Sequence, residues 1–319
     1  MKKIIPFLII IILISGCVEQ KWVVPDISVS RENEKADVND IIVIKNVESY
    51  PKSPLMPSTS FYLKYRLENI DKTHTVTDVS TDIWDACMYK VKSNGFSGKV
   101  MYPMSIEDVQ YSMKSPSVDE IANIRHKCDI AFYVDYKFEG ALLYDVVVMN
   151  INEIMRVQES EKNIDIKARE YWGPGPVKLD AEFSSGENEP VIIGEGETKL
   201  PIKFTLKDVG SGLVKDNKIP EGNVHIYFPT EMVSNVDGEL GTGNFSCGSK
   251  TTMEGRSYWD CSNKEEIKFF NRESSPIILY LTFNKNIKKY YKTFTIISKF
   301  TYNYELTKTY PVETIPYSV

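Results

Sequence analysis

From residue 41 onward, apolar and polar residues alternate along the chain with a period of two. In the first half the clearest apolar members are Phe61, Leu63, Tyr65, Leu67, Cys128, Ile130, Phe132, Val134, Tyr136 and Phe138. Successive side chains of a strand point to opposite faces of a sheet, so this period predicts half-buried β-strands. Further strands are predicted at residues 41–47, 76–84 and 143–149.

A second alternating series begins at Val177 and continues to Leu306. It follows a charged, weakly periodic segment and the sequence Trp172-Gly-Pro-Gly-Pro176, which suits neither a helix nor a central strand. We therefore predict two domains, residues 41–171 and 177–319, joined by a linker at 172–176. Each is expected to fold alone, with few contacts between them. The alternative is a loop inside one large domain.

Segments with the 3.6-residue period of a helix are scarce. The exceptions are Ser105-Ile-Glu-Asp108 and Ser117-Val-Asp-Glu120, which predict short capped helical turns, the second through a capping-box pattern. Frequent strands with turn-forming links favour two packed sheets per domain. The predicted fold is all-β, with tandem antiparallel immunoglobulin-like β-sandwiches and short helical crossovers.

The segment that leads into one predicted strand resembles the start of a known type of domain. The run Pro57-Ser-Thr-Ser-Phe-Tyr-Leu-Lys-Tyr-Arg-Leu-Glu-Asn69, with Val76-Thr-Asp-Val79 after it, is similar to the start of immunoglobulin-like adhesion modules of the CARDB type. Those modules pass from a Pro-containing turn into an alternating strand that ends at Asn. At the position after Asn69 the family often has Gly, whereas this chain has Ile70-Asp71.

The N-terminus predicts export. Met1-Lys2-Lys3 is followed by an uncharged run from Ile4 to Ile14, which is too short to span a bilayer and is typical of a signal peptide. The sequence Ile14-Ser15-Gly16-Cys17 resembles the prokaryotic lipobox, which implies cleavage after residue 16 and lipidation of Cys17. Residues 17–40 are then a lipidated, polar tether. An ordinary signal peptide and an uncleaved signal anchor are the alternatives.

Four cysteines remain once Cys17 is assigned to the lipid. Their distribution predicts two disulfides, Cys87 with Cys128 and Cys247 with Cys261, as expected for an exported chain. Four free thiols are the alternative, and the spacings do not resemble paired zinc ligands. Loss of residues 1–16 removes two lysines and changes the formal charge from −6 to −8, which disfavours nucleic acid as a partner.

Catalytic and metal-binding motifs are scarce. The three histidines, His74, His126 and His225, are far apart, and no nucleophile elbow, zinc-protease helix, dinucleotide fingerprint or phosphate loop occurs. Asp208 and Asp216, near glycines, are weak candidates for calcium ligands, without the ligand spacing of an EF-hand. His126, two residues before Cys128, suggests half of a metal site or an ordinary histidine beside a disulfide. We expect no cofactor.

One modification site is suggested by Asn244-Phe-Ser246, a glycosylation sequon in a glycine-rich loop. Tyrosines on strands serve mainly the core, and an exposed minority would suit glycans or proteins. These features together resemble prokaryotic surface lipoproteins. The predicted function is non-enzymatic: adhesion, envelope organisation or assembly with other surface proteins. A ligand-capturing lipoprotein and a surface hydrolase are the alternatives.

Overall fold

The computed structural model describes residues 39–93, 95–152, 156, 167–186, 189–238, 244–285, 287 and 291–316. The predicted signal, Cys17 and all but the end of the tether lie outside these residues. The chain is all-β and its sheets are antiparallel apart from one short pair, as the sequence predicts. Within the described ranges, no helix is long and apolar enough to cross a membrane.

The strands follow one another closely along the chain. Those of the first half are β1 (Ile42–Tyr50), β2 (Ser60–Asn69), β3 (Val76–Asp85), β4 (Lys90–Val91), β5 (Lys99–Met101), β6 (Ile106–Lys114), β7 (His126–Asn150) and β8 (Arg169–Trp172). Those of the second half are β9 (Val177–Phe183), β10 (Val191–Ile193), β11 (Lys199–Asp208), β12 (Leu213–Val214), β13 (Lys218–Ile219), β14 (Val224–Pro229), β15 (Val233–Asp237), β16 (Phe245–Met253), β17 (Arg256–Asn263), β18 (Ile267–Phe270), β19 (Glu273–Ser274), β20 (Ile277–Phe283) and β21 (Tyr291–Thr314). A 3₁₀ turn spans Lys215–Asn217.

The strands form three sheets. A four-stranded sheet has the order β1-β2-β6-β4. A ten-stranded sheet has the path β16-β17-β14-β21-β7-β3-β5, with β8 and β10 beside β7 and β12 beside β21. A seven-stranded sheet has the path β13-β18-β19-β11-β20-β15, with β9 beside β11.

The ten-stranded sheet carries one small sheet at each end of its two longest strands. Tyr65 of the four-stranded sheet stacks on Phe132 of β7 with ring centroids 4.5 Å apart. In the other sandwich, Phe204 of the seven-stranded sheet meets Phe228 of β14 edge to face at 6.3 Å. The two sandwiches therefore stand in tandem along β7 and β21, and one continuous set of buried side chains runs through both.

These two long strands join the halves of the chain. They pair antiparallel from Tyr291 opposite Met149 to Thr314 opposite His126. The last part of the chain therefore lies in the first sandwich, whereas the C-terminal part of β7 lies in the second. The expectation that few contacts cross residues 172–176 is wrong, because two strands distant in sequence satisfy each other's backbone groups along their whole length.

Gly140 lies midway along β7, directly opposite Phe300. A Cβ added to Gly140 would lie 2.3 Å from Phe300 Cε2, so the ring occupies the space of the missing side chain. A glycine inside a strand commonly marks such a close approach. It separates the two predicted strands 128–138 and 143–149, which are one strand in the structure.

The predicted helical crossovers need correction. The segment from Ser105 to Asp108 enters strand β6, because Val109, Tyr111 and Met113 alternate into the core. Residues 117–123 form a turn, and its capping interactions are as predicted: Ser117 N–H donates to Glu120 Oε2 at 2.7 Å, and Glu120 N–H donates to Ser117 Oγ at 3.3 Å.

Candidate functional site

Both predicted disulfides are present in the structure. Cys87 is bonded to Cys128, which fastens the loop after β3 to the start of β7. Cys247 is bonded to Cys261, its direct register partner on the adjacent strand. Two such bonds are typical of a protein in an oxidising compartment outside the cytoplasm.

Asp208, a weak calcium candidate, is buried and forms hydrogen bonds with two other polar side chains. Its Oδ1 accepts hydrogen bonds from Arg272 Nη2 at 3.1 Å and from the Tyr304 hydroxyl at 2.9 Å. Arg272 also donates to the carbonyls of Gly210 and, at 2.8 Å, Gly212. We call Asp208, Arg272 and Tyr304 the junction cluster, because they join the seven-stranded sheet to β21.

In the junction cluster, the charge of the buried Asp208 carboxylate is balanced by Arg272. The Asp208 side chain is 2% exposed and the Arg272 side chain 42% exposed. Burial, followed by the charge of Asp208, raises the pKa of Tyr304, so its hydroxyl keeps the proton that it donates. Asp216 is exposed in the 3₁₀ turn, and the described residues contain no group of three or more possible metal ligands. The structure does not bring the two calcium candidates together as a ligand set.

The three histidines have separate surroundings. His74 Nδ1 lies 2.8 Å from Asp71 Oδ1, and His225 Nδ1 lies 3.0 Å from Asp260 Oδ1. His126 packs near the Tyr89 ring at 5.9 Å. Since Cys128 is disulfide-bonded, it has no thiolate to complete a metal site with His126.

The glycosylation candidate is exposed at the start of β16. The carbonyl oxygen of Asn244 accepts a hydrogen bond from Lys264 N–H at 2.8 Å. This contact holds the backbone of the sequon against the next hairpin and leaves the residue accessible.

The four-stranded sheet presents one face to solvent, which we call the outer face. On β2, the core residues Phe61, Leu63, Tyr65 and Leu67 alternate with side chains that point outward. Strand register places these in rows: Tyr62 lies between Tyr50 and Ser112, Lys64 between Glu48 and Gln110, and Arg66 between Lys45 and Asp108. Tyr50 and Tyr62 are 68% and 41% exposed, so the outer face combines open aromatic rings with polar groups.

A bulge in β1 shapes the middle of the outer face. Register shifts between Lys45 and Glu48, where Asn46 has a φ of 51°. Beside the bulge is a shallow depression of about 400 Å³ lined by Asn46, Glu48, Lys64, Tyr65, Arg66, Asp108, Val109 and Gln110. Arg66 Nε donates to Asp108 Oδ1 at 3.1 Å, and both residues border the depression. Such an open polar surface suits contact with a large partner better than enclosure of a small molecule.

Lysines gather at one end of the outer face. Lys90 of β4 is the register partner of Lys114 of β6, which is in turn the partner of Ser60 on β2. Lys92 reaches across the sheet, and its Nζ donates to Ser60 Oγ at 3.1 Å. We call Lys64, Lys90, Lys92 and Lys114 the lysine patch. Sequence analysis missed it because strands distant along the chain contribute its members.

Carboxylates are few around the lysine patch. Lys90 Nζ lies 2.7 Å from Glu120 Oε1, and this hydrogen bond, with those from Ser117, lowers the pKa of Glu120 to about 2. Across the described part of the chain, no carboxylate lies within 4 Å of the ammonium groups of Lys64, Lys92 or Lys114. The patch is therefore locally basic on a chain whose net charge is negative.

Comparisons with known proteins place the chain in no family. No family model matches it, and no curated protein matches it. A solved structure, the collagen binding domain of the Erysipelothrix rhusiopathiae surface protein RspB, aligns over 88% of this chain and 98% of its own, with 8% identity and a TM-score of 0.14. A likeness at that level carries no argument about fold or function.

Proposed function

We propose that the protein is exported, lipid-anchored at Cys17 and non-enzymatic, and that it serves adhesion, envelope organisation or assembly with other surface proteins through the outer face. The observation that carries this proposal is the open arrangement of Tyr50, Tyr62 and polar side chains across adjacent strands. Exposed tyrosines offer a rigid apolar ring and a hydroxyl at low entropic cost, a combination favoured in binding surfaces.

Two further features support this function over its alternatives. A protein that captures a small ligand encloses most of that ligand's surface, whereas the depression beside the β1 bulge is shallow. A hydrolase needs convergent catalytic groups, whereas each of the three histidines lies among a different set of neighbours. The disulfides agree with display outside the cytoplasm.

The anchor is tested by Cys17→Ser. Cells producing the parent are expected to incorporate a labelled lipid precursor into this protein, and cells producing the variant are not. Because two acyl chains hold a protein on a membrane without a spanning segment, the variant should also leave the membrane fraction. Equal labelling of parent and variant would refute the anchor.

The binding surface is tested by site-specific crosslinking in the host cell. A photoreactive amino acid replaces Tyr62 in one variant and, as a matched control, Tyr280 in another. Tyr280 is the outward-pointing tyrosine of β20 in the other sandwich. Light should produce a discrete larger species from position 62 and none from position 280. The same species from both positions, or none from position 62, would overturn the proposal for the outer face.

A further inference from the structure

We infer that the lysine patch binds an acidic polysaccharide, a polymer whose carboxylate or phosphate groups contact Lys64, Lys92 and Lys114 while its sugar rings pack on the nearby tyrosines. This inference rests on the proposed function and specifies the ligand of the outer face. Folding alone does not explain why two lysines lie opposite each other in this sheet.

The unexplained feature is the pairing of like charges. Lys90 and Lys114 lie directly opposite each other on adjacent strands. Like charges in such positions destabilise a sheet, and surfaces usually intersperse the two signs. Here Glu120 compensates Lys90, whereas no carboxylate among the described residues lies within 4 Å of the ammonium group of Lys92 or Lys114. An anionic ligand would supply the missing counter-charge.

Aromatic and hydroxyl groups adjoin these cations. Tyr62 lies one row from Lys114, and Lys64 Nζ lies 5.7 Å from the centre of the Tyr62 ring. Ser60 and Ser112 are the outward hydroxyl residues of the same two rows. A sugar offers an apolar ring face to an aromatic side chain and hydroxyls to polar neighbours, so this mixture fits a carbohydrate.

The shape of the patch favours a polymer chain. Its lysines come from β2, β6, β4 and the residue after β4, so they extend across the sheet, and among them Lys64 also borders the shallow depression. Glu48, the register partner of Lys64, limits the basic surface on the side of the depression. Lys90 and Lys114 lie one strand spacing apart, about 5 Å, and Lys92 and Lys64 lie in the next two rows, so the cations are spread over a surface that suits repeated anionic groups on one chain.

The test uses the mature chain, residues 17–319, with Cys17→Ser, and measures binding of polygalacturonate by titration calorimetry. The parent should bind and should lose affinity as salt rises. The double variant Lys92→Glu, Lys114→Glu should bind at least about tenfold more weakly. The matched control Lys127→Glu, Lys137→Glu changes the net charge equally, on exposed positions of β7 in the opposite sheet, and should bind like the parent.

Further measurements decide the remaining outcomes. Thermal unfolding of each variant shows that the fold is intact, and the milder pair Lys92→Gln, Lys114→Gln repeats the test without new acids. Single-stranded DNA and phosphatidylglycerol vesicles are titrated in parallel. The inference would be overturned if the parent failed to bind polygalacturonate, or if the Lys92→Glu, Lys114→Glu variant bound it as well as the Lys127→Glu, Lys137→Glu control. Equal affinity of the parent for DNA or for vesicles would also overturn it. Persistence of the crosslink at position 62 in that case would leave the proposed function standing.

Discussion

The junction cluster and the lysine patch use charge in opposite ways. Arg272 is surrounded by acceptors, namely the Asp208 carboxylate and the carbonyls of Gly210 and Gly212. Lys92 donates to a single hydroxyl, and Lys114 faces another lysine. The first arrangement satisfies a buried carboxylate, whereas the second leaves ammonium groups in reach of solvent and of a ligand.

The difference separates residues that stabilise the fold from residues that are available for binding. Removing one partner of a buried ion pair leaves a desolvated charge, which is costly. Removing an exposed lysine without a carboxylate partner costs little, and relieves repulsion when another lysine lies opposite. We therefore expect substitutions in the junction cluster to lower stability and leave binding unchanged, and substitutions in the lysine patch to weaken binding and leave stability nearly unchanged.

The largest effect on stability should come from the disulfide behind the lysine patch. The Cys87–Cys128 bond closes a loop of 41 residues, so replacing both cysteines by serine should lower the free energy of unfolding by about 4 kcal/mol. Replacing Cys247 and Cys261, which are 14 residues apart, should lower the free energy of unfolding by about 3 kcal/mol. Urea unfolding measures both. Polygalacturonate binding should weaken in the first variant only, since β4 follows Cys87 closely; equal weakening would contradict this.

Arg272→Ala should destabilise the protein by about 2 kcal/mol, because the buried Asp208 carboxylate loses a charge-assisted hydrogen bond from a partly exposed cation. Lys203→Ala is the control, since its ion pair with Glu182 is exposed and contributes little. Chemical denaturation compares the midpoints. Binding of the acidic polysaccharide should be unchanged in Arg272→Ala at temperatures where it is folded. A cost no larger than that of the control would show that the junction cluster is not structural.

Lys178 differs from the basic residues of both regions, because it is half-buried and burial is what shifts its pKa. Burial lowers the pKa of Lys178 to about 8, below the ordinary 10.5, while its Nζ donates to Gly173 O at 2.7 Å. At neutral pH the folded state must keep this ammonium group charged in a poorly solvated position, which lowers the free energy of unfolding. This cost decreases as the pH rises from about 8 to 10.5, and it is absent above 10.5, where the lysine is neutral in both the folded and the unfolded state.

Lys178→Met should therefore stabilise the protein at pH 7 and have a smaller effect at pH 10.5. Lys207→Met is the matched control, because Lys207 is the register partner of Lys178 and its pairing with Asp180 raises its pKa. Denaturation at both pH values checks the prediction. Stabilisation that is independent of pH would instead indicate simple apolar packing.

The smallest effect on stability is expected in the lysine patch. Lys114→Gln should raise the free energy of unfolding by roughly 0.3 kcal/mol, because it removes the repulsion with Lys90. Lys137→Gln, on the opposite sheet, should leave stability unchanged. Thermal unfolding at low salt gives the greatest sensitivity, and destabilisation by Lys114→Gln would place Lys114 among the structural charges.

Local patterns predicted the strands well and their long-range pairing poorly. The alternation of Phe61, Leu63, Tyr65 and Leu67 specifies a half-buried strand, and the structure has one there. The same pattern around Cys128 and Phe300 does not specify that β7 pairs with β21, because register between strands so distant depends on the assembled core. Both disulfide pairings followed from sequence distribution alone.

The lysine patch illustrates why binding surfaces are harder to predict. Lys64 appears in sequence as an ordinary polar member of an alternating strand. Its proximity to Lys114 becomes visible only when β2 and β6 are placed in register. Asp208 illustrates the reverse, since its glycine-rich surroundings suggested calcium, whereas Arg272, 64 residues away in sequence, is the cation that it binds.

The role of the lysine patch in binding is tested by the salt dependence of the affinity for polygalacturonate. If Lys64, Lys92 and Lys114 each replace a counter-ion of the polymer, the logarithm of the affinity should fall with the logarithm of salt concentration, with a slope corresponding to about three cations. Lys92→Gln and Lys114→Gln should each reduce that slope by about one, whereas Lys203→Ala should leave it unchanged. A slope that neither lysine substitution alters would show that the unpaired charges of the outer face do not serve binding.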